Sequence, residues 1–306
     1  MKFIVLLLSI AYSCLAIAEP SYDMFKTYHN SRFSKFKTFT RPKLEDFVNQ
    51  HLKTVSSEGK AVFYPFGGPD IIYPLMLFPQ AHSYILVGLE PRGNKDFNTG
   101  IPGTIHKQLD SLLRRSFFVT ADMSRIIPKN QGVLPLFLAQ ITLMNGSVKE
   151  LKFVDHSFGK SIEISFMHLN LEKKLIYIQA NMVNQNLTGD FLNFIKDNNF
   201  FDICILKASS YLLHQHSFSK VRAFILANAK IVLQDDSGVP IKEFSKNFTL
   251  HLFGNYIKPY GKEWEGYFQK DLYKMYHDGT IKPNVPFCYG YGCAKSEASI
   301  ILAVRG

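Results

Sequence analysis

The chain has 306 residues, 46% hydrophobic and 20% charged, and its 35 Lys and Arg outnumber 25 Asp and Glu for a formal charge of +10. That composition excludes a disordered or fibrous chain and suits a folded domain with a sizeable core. The basic residues are scattered and no nucleic-acid motif accompanies them, so nucleic acid is not an expected partner. A diffuse attraction to anionic lipid headgroups or polysaccharide is the most the charge supports.

Residues 1–18 read as a secretory signal: Lys2, an apolar run from Phe3, and Ala16-Ile17-Ala18 before Glu19, with cleavage expected after Ala18. The apolar part is about 16 residues, short of the roughly 20 needed to cross a bilayer, so an integral membrane protein is not expected. The mature chain is expected to be exported, in the periplasm or beyond the cell. Residues 19–60 form an expected N-terminal helical cap, in which Leu44, Phe47, Val48 and Leu52 recur at helical spacing. Residues 61–306 follow as one domain, because no low-complexity linker interrupts them.

The most informative stretch is 62–92. Val62–Phe66 is an apolar run without alternation, as in a strand covered on both faces. Gly67 and Gly68 turn the chain, and Pro69 and Asp70 suit the first turn of a helix running toward Pro79, shortened or kinked by Pro74. Tyr84–Leu89 is a second apolar run closed by Glu90, which lies 23 residues after Gly67. An acidic residue at this spacing holds a ribose in dinucleotide folds. The glycine fingerprint is incomplete, with Pro69 and Ile72 where the second and third glycines belong. A carboxylate at Asp70 also competes with phosphate for helix-start amides, which favours a neutral or cationic ligand. Equally, two glycines after a strand can be only a tight turn.

Farther along, Pro91–Gly103 reads as a loop, and Leu109–Thr120 and Gly132–Met144 as helices. Val148–Val154 reads as a third strand ending in Asp155-His156. Gly159-Lys160-Ser161 resembles the end of a P-loop, but the alternating Ile162–Phe166 after it reads as a strand. Ile162–Met167 and Leu175–Ala180 either pair as a hairpin or place the next sheet strand beside an insertion. Thr188 caps a helix over 189–196, Phe201–Ser209 is a buried strand, Ser217 or Ser219 opens a helix to Ala229, and strands are expected at 230–234 and 299–304. The alternation of strands and helices predicts an α/β fold: a doubly wound, mostly parallel Rossmann-like sheet with helices on both faces.

The segments Val62–Phe66, the glycine turn and Tyr84–Glu90 resemble the Rossmann-like fold of class I S-adenosylmethionine-dependent methyltransferases. The stretches YPFGGPD, LVGLEP, SYLLHQHSFSKVR and LQDDSG also resemble uncharacterised exported bacterial proteins. The first resemblance implies that Gly67 and Gly68 approach the ligand and that Glu90 binds ribose hydroxyls.

No G-x-S-x-G elbow, H-E-x-x-H helix or C-x-x-C pair occurs. Candidate ligand-binding residues are therefore Gly67, Gly68, Asp70 and Glu90, with Asp155, His214 and Asp235 as further cleft candidates at strand ends. Neither a cofactor nor a metal is specified: His214-x-His216 can present two ligands on one face, yet a zinc set needs more. Cys204 reads as a buried thiol, and Cys288 and Cys293 flank a Tyr-Gly-Tyr-Gly loop that a disulfide can close. Trp264 and the tyrosines between 256 and 291 either cover one end of the sheet or stack a flat ligand. Two functional classes follow: a small-ligand cleft at the GGPD loop, catalytic or not, and a non-catalytic module for an envelope or secreted partner.

Overall fold

A computed structural model describes residues 31–53, 55, 57–94, 102–127, 132–197, 202–259, 261–295 and 298–306. The expected signal at 1–18, the opening of the N-terminal segment and residues 95–101 of the loop after Glu90 lie outside them.

Four short apolar runs form the centre: β1 (Ala61–Tyr64), β2 (Ser83–Gly88), β6 (Ile203–Leu206) and β7 (Ile231–Gln234). They lack polar alternation because both of their faces are covered. Val62 and Tyr64 point into one apolar layer with Tyr84, Leu86, Ile203, Ile205 and Leu233. Ala61 and Phe63 point into the other with Ile85, Val87, Cys204, Leu206 and Val232. The first layer is closed by α1 (Ser31–Lys35), α2 (Arg41–Phe47), α3 (Ile72–Leu77) and α6 (Leu134–Leu143) through Phe33, Leu44, Phe47, Leu75 and Phe137. The opposite layer is closed by α7 (Gly189–Asp197) and α8 (Ser219–Asn228) through Phe191, Ile195, Val221 and Ile225.

Three strands complete one flank: β3 (Ser147–His156), β4 (Gly159–His168) and β5 (Leu171–Gln179). Strands β8 (Phe248–Gly254) and β9 (Ser299–Arg305) complete the other. The nine-stranded order is β3-β4-β5-β2-β1-β6-β7-β9-β8. Strands β5, β2, β1, β6 and β7 are mutually parallel, while the β3/β4, β4/β5, β7/β9 and β9/β8 pairs are antiparallel. Both arrangements left open for residues 162–180 therefore hold, since β4 pairs back on β5 and β5 joins β2.

Local differences from the expected elements have physical causes. The helix after the glycine turn begins at Ile72, not at Pro69, because the Gly67 and Asp70 amides are used in successive turns to Tyr64 and Gly67 carbonyls. Its start is capped from a distance: Gln140 Oε1, fully buried on α6, accepts from the Ile71 and Ile72 amides at 3.1 and 3.4 Å. The helix expected at 109–120 is α4 (Pro102–Arg115), ended by Ser116 at φ +69°, and α5 (Thr120–Ile126) follows as a separate element. Thr188 Oγ1 accepts from the Phe191 amide at 3.3 Å, as expected of a helix cap. The segment 159–161 opens β4 and forms no phosphate loop. Helix α9 (Lys270–Tyr276) packs Leu272 and Tyr276 against Ile301. Among the described residues no helix is long and apolar enough to cross a membrane.

Candidate functional site

A cavity of about 820 Å³ opens at the carboxyl ends of the parallel strands. Chain order makes a gap there: β1 is followed by β2 on one side, and β6 flanks it on the other. Loops leaving these strands diverge, and open α/β sheets bind ligands at such reversals. Gly67, Gly68, Gly88 and Glu90 line one part of the cavity, and Ala208, Ser209, Ser210, Trp264 and Tyr291 another.

The glycine turn is held closely against β2. The Gly68 amide donates to the Val87 carbonyl at 3.2 Å, and Gly68 has φ +52°, a left-handed conformation that glycine adopts without a Cβ clash. A Cβ on Gly88 would stand 2.9 Å from Gly68 Cα, 2.5 Å from Glu90 Oε2 and 2.8 Å from Tyr177 Oη. Gly88 is thus what lets the turn lie directly on the second strand. Glu90 is only 5% exposed, and Tyr177 Oη donates to its carbonyl at 2.7 Å and to Oε2 at 3.4 Å. The carboxylate sits over the glycines on the cavity wall with its position fixed from the strand beneath.

Asp70 has a different surrounding. Its Oδ2 accepts from Lys207 Nζ at 2.8 Å and from Tyr64 Oη at 3.4 Å, and its Oδ1 accepts from the Tyr73 amide at 3.3 Å. Both charged side chains are buried, and neither Asp70 nor Lys207 lines the cavity. Burial pulls the Lys207 ammonium down to about 8 and pushes the Asp70 carboxyl up, with their mutual attraction opposing both shifts. The Asp70 carboxylate is therefore engaged behind the wall, by Lys207 from the β6 side and by the Tyr73 amide in the first turn of α3.

Asp235 also lies behind the wall. Its Oδ2 accepts from the Ala208 amide at 2.9 Å, and its Oδ1 from the Ser237 amide at 3.0 Å and Ser237 Oγ at 2.6 Å. Asp236 beside it accepts from Tyr211 Oη, and its carboxyl is pushed up to about 7 by burial and then by the Asp235 charge. His214 packs edge-on to Tyr211 and Tyr267 and lines no part of the cavity. Burial lowers its pKa to about 4. Asp155 ends β3, two strands beyond β5, where Arg92 pairs with it at 2.6 Å and 69% of the carboxylate side chain is exposed. Of the seven residues singled out in the sequence, Gly67, Gly68 and Glu90 come together on the wall; Asp70 and Asp235 brace the loops behind it, and Asp155 and His214 stand apart.

Several wall and support residues carried little sequence signal. Gly88 is the exception, since a glycine inside a strand marks a close backbone approach. Tyr177, Gln140 and Lys207 act through contacts 87, 68 to 71 and 137 residues away in the chain. Cys288 lines the cavity and is disulfide-bonded, whereas Cys204 is free and buried; the Cys293 side chain lies outside the described residues. Among the described residues no group of three His, Cys, Asp or Glu side chains converges as a metal site. The chain matches no protein-family model and no curated protein.

Proposed function

We propose that this is an exported protein whose doubly wound, Rossmann-like domain binds a small ribosylated ligand, with Glu90 receiving the ribose hydroxyls. The observation that carries this reading is the Glu90 carboxylate at the end of β2, held over a glycine turn and facing an 820 Å³ cavity at the strand-order reversal. Such a carboxylate accepts two hydroxyl donors at once, which is the chemistry of a ribose 2′,3′-diol. Support for the methyltransferase-like form of the fold comes from the order β5-β2-β1-β6-β7-β9-β8, with only β9 reversed within it. The β3-β4 hairpin is then an addition at one edge, and residues 31–52 a helical cap on one face. The opening Lys2 to Ala18 segment supports export. A cavity open to a ligand weighs against a cleft plugged by side chains, as an interaction-only module would have it.

Calorimetric titration of the full chain with adenosine, S-adenosylmethionine and 2′,3′-dideoxyadenosine tests the reading. Adenosine or S-adenosylmethionine binds, the dideoxy compound does so at least ten-fold more weakly, and Glu90→Ala removes that discrimination. Equal affinity for ribose and dideoxyribose would overturn it.

A further inference from the structure

The wall on the β6 side has its own chemistry. Residues 208–211 carry three non-glycine left-handed backbones, Ala208 at φ +52°, Ser210 at +52° and Tyr211 at +54°. Strain of this kind persists only where surroundings enforce it, and it concentrates at functional sites. Here the enforcement is explicit. Asp235 takes the Ala208 amide, Ser237 Oγ takes the Ser209 amide at 2.7 Å, and Asp236 takes the Tyr211 hydroxyl. Tyr291 Oη hydrogen-bonds Ser210 Oγ at 2.8 Å and donates to the Ala208 carbonyl at 3.1 Å.

Among the described residues one polar atom of this loop is left over: Ser209 is 1% exposed and lines the cavity, and its Oγ has no hydrogen-bond partner there. A buried hydroxyl without a partner is unfavourable and gains when a ligand supplies one. Around it stand aromatic faces that also line the cavity: Trp264 and Tyr291 with centroids 6.3 Å apart and planes 24° apart, and Phe117 edge-on to Tyr291 at 5.0 Å. Tyr211, fully buried, backs this wall at 5.4 Å from Trp264 and 6.4 Å from Tyr291. Strand β1 lies between β2 and β6, so Glu90 and Ser209 flank the glycine turn from opposite sides.

We propose that Ser209, Phe117, Trp264 and Tyr291 form a second subsite in the cavity that takes a planar aromatic ring bearing a hydroxyl or amino group, the ring against the aromatic wall and its polar group on Ser209 Oγ. The subsite rests on the same cavity being a ligand site and names what occupies its other half. A ring offers the flat area that aromatic walls select, and the unpaired hydroxyl discriminates rings with a polar substituent from those without.

Trp264 is the only tryptophan of the chain, so selective tryptophan excitation reports on this wall directly. The full chain is titrated with phenol, with toluene, which keeps the ring without the hydroxyl, and with cyclohexanol, which keeps the hydroxyl without the planar ring. Phenol gives a saturable change in emission and binds tightest of the three; Ser209→Ala weakens phenol about five-fold and leaves toluene unchanged. Trp264→Leu, followed by calorimetry, weakens phenol and toluene together while cyclohexanol is unaffected. Equal affinity for the three probes, no saturable signal, or phenol binding indifferent to Ser209→Ala overturns the subsite. Phenol and adenosine titrated against the unsubstituted chain separate the two proposals: ring binding without adenosine binding counts against the ribose reading alone, and adenosine binding without ring binding counts against the subsite alone.

Discussion

Lys207 Nζ stands 2.8 Å from Asp70 Oδ2 and 3.2 Å from the centre of the Tyr73 ring, with neither charged side chain open to solvent. The Ser116 carbonyl accepts from the same ammonium, so the end of α4, the loop after β1 and the end of β6 meet at one cation. Removing one partner leaves the other charge buried and uncompensated. Lys207→Met is expected to cost about 3–5 kcal/mol in urea unfolding, and Asp70→Ala a similar amount, whereas the double variant recovers a large part of the loss. Additive single-variant costs would show that the pair is not coupled.

The packing of Gly88 on Gly68 makes a graded prediction. Gly88→Ala drives a Cβ into backbone and is expected to destabilise by about 2–3 kcal/mol, because neither Gly68 Cα nor the held Glu90 can step aside. Gly68→Ala meets nothing closer than Glu90 Oε2 at 3.4 Å and pays mainly for its φ of +52°, about 1 kcal/mol. Thermal unfolding that ranks them in the opposite order would contradict the geometry.

Tyr177 positions Glu90 without lining the cavity. Tyr177→Phe is expected to lower stability by about 1 kcal/mol and to weaken adenosine by several-fold, while the same variant leaves phenol binding unchanged. Loss of stability with adenosine affinity intact would reduce Tyr177 to a core residue.

His168 supplies a pH dependence. Among the described residues neither of its buried ring nitrogens has a partner, and burial, then the charges of Lys173 and Arg41, lowers its pKa to about 4. The unfolded imidazole titrates near its ordinary value of about 6.5, so between those values the unfolded state binds more protons and stability rises with pH. Burial of His168 therefore imposes a penalty in acid, up to about 3 kcal/mol once the folded imidazole is protonated near pH 4, which fades as pH rises to 6.5. Urea midpoints from pH 4 to 7 for the parent and His168→Leu should therefore shift relative to each other, the parent gaining on the variant as pH rises toward 6.5; a pH-independent difference would remove His168 as the cause.

The sheet was legible in the sequence wherever strands are covered on both faces. Continuous runs at 62–66, 84–89, 201–209 and 230–234 locate β1, β2, β6 and β7 to within a few residues. Strand β8 was missed because only one of its faces is well covered, so Thr249, His251 and their neighbours alternate between layers and dilute the apolar run. Glu90 was legible from its spacing to the glycine turn, a local quantity. Asp70 was not, because what decides its role is Lys207, and no local pattern announces a partner 137 residues away. Ser209 was invisible for a related reason: a serine becomes informative only when every possible partner around it is already engaged.

The hairpin that extends the sheet beyond β5 also settles how the sheet ends. Among the described residues strand β3 pairs with β4 on one side only, and it bears Lys149, Glu150, Lys152 and Asp155, with a register break between Val148 and Glu150. Lys152 and Glu150 pair at 2.9 Å, and Asp155 is tied to Arg92. A bulged edge bearing charge at this density resists the in-register docking of another strand. The outermost described strand thereby acts as a terminator, opposing the templating of a further strand from a second copy of the chain.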